Sequence, residues 1–68
     1  MPPSGKGIEK ALVKAGFVRV SQKGSHVKLR NDAGRTAIVP MHREVALGTI
    51  RSIVRQAGLT LDELERLL

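Results

Sequence analysis

The chain has 68 residues, no cysteine and a single aromatic residue, Phe17. That length gives one domain with a small core, and the missing cysteine excludes disulfides, a thiolate nucleophile and a thiolate-held metal. Twelve Lys and Arg against six Asp and Glu leave a formal charge of +6, which points to a polyanionic partner, nucleic acid being the simplest.

The charge is uneven. Residues 1–58 hold eleven of the cations and only three of the acids, so the last ten residues are acidic. With Phe17 alone, stacking of bases on aromatic platforms is excluded as the main recognition mode. Contact with phosphate and sugar remains. No apolar run approaches the roughly 18 residues of a membrane span. The opening Met1-Pro2-Pro3-Ser4-Gly5 has no hydrophobic signal core. A soluble, cytoplasmic protein without membrane contact is expected.

In chain order, Ser4 is placed to cap a first helix over about residues 5–15. Ile8, Ala11, Leu12 and Ala15 make its apolar stripe, Gly7 weakens its first turn, and Gly16 stops it. Phe17 to Ser21 reads as a strand with Val18 and Val20 on one face. A second strand, about residues 25–31, alternates: Val27 and Leu29 point one way, His26, Lys28 and Arg30 the other. Asn31-Asp32-Ala33-Gly34 is a turn, and Thr36 to Val39 is a third strand stopped by Pro40.

After a connection over Met41–Ala46, Ile50, Ile53, Val54 and Ala57 mark a second helix ended by Gly58. Thr60 with Glu63 forms a capping box for a last helix with Leu61, Leu64, Leu67 and Leu68. The order α-β-β-β-α with a terminal helix predicts an α+β sandwich: a three-stranded antiparallel meander under a layer of helices. The expected core is Ile8, Leu12, Phe17, Val20, Val27, Leu29, Ile38, Ile50, Ile53, Val54 and Leu64.

The stretch Gln22-Lys23-Gly24-Ser25-His26 carries one of two histidines. His26 reads either as a general acid–base group, its ordinary pKa of about 6.5 suiting proton transfer near neutrality, or as a plain exposed histidine in a basic strand. With Lys28 and Arg30 it forms a row at roughly 6.5–7 Å intervals along one strand face, which suits an RNA backbone. Gly24 permits a turn or the close approach of a phosphate. Ser25 makes a poor nucleophile beside His26, because neighbours on a strand face opposite ways.

His42 follows Pro40 in a loop and is a secondary candidate, as a second acid–base group or a surface histidine. Arg51 and Arg55, four apart on the second helix, offer phosphate or carboxylate contacts or a solvated face. Lys6, Lys10 and Lys14 read as solvated. Two imidazoles, no thiolate and scattered carboxylates make no metal site, and no cofactor motif is present. Hydrolysis, if any, is then metal-independent and directed at RNA, the nucleic acid with an internal 2′-hydroxyl nucleophile.

Three stretches together resemble the HicA toxin family: Lys14-Ala15-Gly16-Phe17-Val18, Gln22-Lys23-Gly24-Ser25-His26, and Gly48-Thr49-Ile50-Arg51-Ser52-Ile53-Val54-Arg55-Gln56-Ala57-Gly58-Leu59. Val39-Pro40 with His42 also fits. The similarity covers nearly the whole chain. It implies a double-stranded-RNA-binding-domain-like fold and a ribonuclease toxin that cleaves mRNA and arrests growth. It also implies catalysis by the Gly-Ser-His histidine, here His26, and a HicB-type antitoxin that masks it. The basic row together with this resemblance makes Lys23, Gly24, Ser25, Lys28 and Arg30 the expected RNA contacts, with Arg51 and Arg55 as weaker candidates. Many members carry a second histidine directly after the first, where this chain has Val27. A non-catalytic double-stranded-RNA-binding module is the alternative, and a protein-interaction module with a basic face a third reading.

Overall fold

A computed structural model describes residues 2–68, so that Met1 of the N-terminal stretch discussed above lies outside it. Its elements are α1 (Gly5–Lys14), β1 (Val18–Lys23), β2 (His26–Arg30), β3 (Thr36–Pro40), α2 (Leu47–Ala57) and α3 (Leu61–Leu67). The strands form one antiparallel sheet in the order β1-β2-β3. The fold is α+β, with the α-β-β-β-α order of the double-stranded-RNA-binding-domain-like fold and one added helix.

Local chemistry accounts for the element ends. Ser4 caps α1, its hydroxyl accepting from the Gly7 amide at 3.0 Å. Gly58 ends α2 in the left-handed region at φ +73°. Thr60 and Glu63 complete the expected capping box on α3. The β1–β2 hairpin closes on two residues, Gly24 and Ser25. Gly24 has φ +59°, the sign a type II′ turn needs at its first central position.

The core lies between one sheet face and the helices. Phe17, Val27, Leu29, Ala37 and Val39 meet Ile8, Leu12, Ile53, Val54 and Leu64, with Val45 closing one end. Two expected core residues are corrected. Val20 is 46% exposed and Ile38 only half-buried. Both belong to the sheet face turned away from the helices, since Ile38 stands opposite Lys28, and Val27 and Leu29 hold the inner face. Val39, Ala37 and Val45 fill the core instead.

β1 also runs two residues further than expected and is bulged. Arg19 pairs with Leu29, but Ser21 pairs with Lys28, so Val20 and Ser21 together face one residue of β2. The outer edge of β3 is closed by side chains and by Pro40, which has no N–H. Gln56 Oε1 accepts from the Ile38 amide at 2.8 Å.

Candidate active site

His26 opens β2 directly after the turn, with Lys23 across the hairpin and Pro40 on the other side. It is exposed, and its imidazole has no hydrogen-bond partner among the described residues. Alternation along β2 holds as expected. Val27 and Leu29 are fully buried, and His26, Lys28 and Arg30 share the open face. Val27 therefore points into the core, away from His26.

The open face gathers more than that row. The bulge in β1 brings Ser21 opposite Lys28 and Lys23 opposite His26. A hydrogen-bonded pair of this kind has Cα atoms about 5.5 Å apart. Val18, 61% exposed, stands across from Arg30, and Val20 lies in the bulge. The face is thus a cationic row on β2 with Val18 and Val20 of β1 on one side and Ile38 of β3 on the other.

The turn carrying His26 is tied down from both sides. The Met41 amide donates to the Ser25 carbonyl at 2.6 Å. On the helix side, Arg19 donates to both carboxylate oxygens of Glu9, at 2.6 and 2.8 Å, and to Gln22 Oε1 at 2.8 Å. Gln22 in turn donates to the Gly24 carbonyl at 3.0 Å. This run of bonds links α1, β1 and the turn. Its electrostatic trace is on Glu9, whose carboxyl is held below the ordinary 4.5, first by the hydrogen bonds from Arg19 and then by the charges of Arg19 and Lys6, against an opposing effect of burial.

The remaining expected residues are dispersed. Gly24 has open space around its α-carbon, so its glycine identity follows from backbone conformation. Ser25 lies in the turn, not on the strand. Arg51 and Arg55 are exposed on α2, in the helix layer behind the sheet from Lys28. His42 lies in the loop after β3, beside Lys6, Arg19, Gln22, Met41 and Arg43 in a cleft that His26 does not line. No hydrogen bond joins the two histidines among the described residues. The cleft's grouping has no signature in the sequence, since nothing periodic joins residues 6, 19 and 43.

Among the described residues no helix is long and apolar enough to cross a membrane, and no three His, Asp or Glu side chains converge. No curated protein matches the chain. The family model described as the HicA toxin of bacterial toxin-antitoxin matches residues 5–59, which takes in the helix α1, the whole sheet with His26, and α2. With most of its length inside that match, the chain belongs to the HicA toxin family and is the toxin component of a bacterial toxin–antitoxin pair.

Proposed function

We propose that this protein is a metal-independent endoribonuclease that cleaves mRNA in the cytoplasm, with His26 as its general acid–base group. The observation that carries the reading is the placing of His26. It is exposed, at the fixed end of a hairpin, on a sheet face shared with Lys23, Lys28 and Arg30, in a chain of a toxin family.

The chemistry follows from that placing. Neutral His26 takes the proton of a ribose 2′-hydroxyl as its oxygen attacks the adjacent phosphorus. The bond to the 5′-oxygen breaks, and the imidazolium returns the proton to that oxygen. The products are a 2′,3′-cyclic phosphate and a free 5′-hydroxyl. Lys23, nearest to His26, offsets charge building on the phosphoryl oxygens, while Lys28 and Arg30 hold phosphates further along the strand. Gly24 and Ser25 shape the approach. Arg51 and Arg55, on α2 in the helix layer and not on the strand face, serve a separate segment of RNA.

A HicB-type antitoxin is proposed to cover this open face and mask His26. Support comes from exposed Val18 and Val20 on one side of the cations and half-buried Ile38 on the other. Exposed apolar side chains beside a charged row suit a protein partner better than they suit water.

Cleavage of a defined mRNA is the test, with wild type and His26→Ala, each in EDTA. The expected result is cleavage by wild type only, with 2′,3′-cyclic phosphate ends. Equal cleavage by both proteins removes His26 from the reaction, and loss of wild-type activity in EDTA removes the metal-free route. Tight duplex binding without cleavage, unchanged in His26→Ala, gives the non-catalytic double-stranded-RNA-binding module instead.

A further inference from the structure

Behind His26, on the helix side of the same sheet end, lies a cleft of about 550 Å³. Its walls come from three places far apart in sequence. Lys6 stands in the first turn of α1. Arg19 and Gln22 lie on the inner face of β1, and Met41, His42 and Arg43 form the loop after β3. Arg19 is committed to Glu9 and Gln22. Lys6, His42 and Arg43 are exposed, and their side chains have no hydrogen-bond or ion-pair partner among the described residues. No carboxylate lines the cleft, and the nearby Glu9, which also feels the charge of Lys6, is taken up by Arg19.

The first amides of α1 do not explain this grouping. Gly5 donates to the His42 carbonyl at 2.8 Å, and Gly7 to the Ser4 hydroxyl. The charge offered to an anion comes from the side chains of Lys6 and Arg43. Like charges gathered in a concavity repel one another and focus a positive potential there, which a bound anion relieves.

The cleft is held at a fixed place relative to His26. Pro40 stands opposite His26, and Met41 bonds back to Ser25. A facing pair at about 4.5 Å and two residues at about 3.8 Å each put the Cα atoms of His26 and His42 at most roughly 12 Å apart. The Gly24–Ser25 turn bonds to Gln22 and Met41, both of which line the cleft.

We propose that this cleft is a phosphate-binding subsite for single-stranded RNA, taking a phosphate that flanks the bond held at His26. Lys6 and Arg43 supply the charge, His42 supplies a hydrogen bond, and the half-buried Met41 gives the ribose an apolar wall. The strand passes from the open face around the turn into the cleft. That bend suits a single strand and not a stiff duplex, because the two surfaces lie on opposite sides of the sheet end. The proposal rests on the ribonuclease reading for its substrate class.

The test measures binding of a 2′-O-methyl oligoribonucleotide, which has no free 2′-hydroxyl to react, as a function of salt. Three proteins are compared: wild type, Lys6→Gln/Arg43→Gln, and the charge-matched control Lys10→Gln/Arg66→Gln. All four positions are exposed, and thermal melts check that each variant folds. The cleft variant is expected to bind roughly tenfold more weakly near 100 mM salt and to lower the salt slope by about 0.7 per phosphate lost, with the control close to wild type. Equal losses in the two variants reduce the cleft to net charge and overturn the subsite. Retained RNA affinity with lost binding of poly-glutamate also overturns it, in favour of an acidic protein surface. Cleavage of unmodified RNA is scored separately. If wild type binds with the expected cleft dependence yet never cleaves, the ribonuclease reading fails while the subsite stands.

Discussion

Lys23 stands directly across the hairpin from His26, on the same face of the sheet, because β1 carries one extra residue at Val20. Strict alternation from Val18 would have turned Lys23 toward the helices. The bulge reverses the alternation after Arg19 and re-aims everything that follows it. Lys23 is therefore the cation nearest the proposed reaction. Lys23→Ala is expected to lower single-turnover RNA cleavage about 10- to 100-fold, as loss of a group stabilising transition-state charge does. Arg51→Ala and Arg55→Ala, behind the sheet, should each stay within about threefold of wild type. Equal effects at all three positions would mean that only overall charge matters.

Gly5 and Gly7 sit two residues apart in one helical turn and should respond in opposite directions. A Cβ at Gly5 would lie 2.0 Å from the Pro40 carbonyl oxygen and 2.8 Å from the Met41 Cα, all backbone atoms. At Gly7 the nearest neighbour would be the Ser4 hydroxyl at 3.4 Å, an ordinary contact. Gly5→Ala should cost about 2–4 kcal/mol in denaturant unfolding. Gly7→Ala should add about 0.5–1 kcal/mol by restricting the unfolded chain within a helix. Gly5→Ala also separates α1 from the His42 loop, so its loss of RNA binding should accompany its loss of stability.

The two sheet faces should separate packing from partner binding. Leu29→Ala empties a fully buried site and should cost about 2–5 kcal/mol. Val20→Asp, on the open face, should change stability by no more than about 0.5–1 kcal/mol. Its effect should appear in growth assays with the co-expressed antitoxin. The variant is expected to remain toxic and to escape neutralisation, because a carboxylate in a desolvated apolar contact has no partner. Full neutralisation of Val20→Asp would place the antitoxin elsewhere.

Acidification should act on the Glu9–Arg19 pair. Glu9 has its folded-state pKa lowered below 4.5, chiefly by the Arg19 hydrogen bonds. A depressed carboxylate stabilises the fold above its ordinary value, and that contribution is lost as pH falls through the folded one. Melting temperatures of wild type and Glu9→Gln should therefore differ most above the ordinary carboxylate value of 4.5 and converge as pH falls below it. A difference that does not change with pH would mean that Glu9 acts through shape alone. The pair is on the surface, so the effect should be small and should shrink in high salt.

Much of this protein was legible in its residues. Apolar spacing located α1 and α2, period-two alternation in Val27 to Arg30 set β2, and Gly58, Thr60 and Glu63 ended or began helices through local hydrogen bonding. Each of those signals acts within a few residues, so the chain itself determines it. The open row of His26, Lys28 and Arg30 belongs to the same class. Val20 and Ile38 escaped because apolar residues are read as buried, and only the register shows which face they occupy. The bulge is a property of two strands and not of one, so Lys23 could be aimed only by the pairing. The Gly5–Pro40 approach, the Glu9–Arg19–Gln22–Gly24 run and the cleft of Lys6, His42 and Arg43 join residues distant in sequence. Packing of α1 against β1 and the end of β3 brought them together, and no local propensity encodes those contacts.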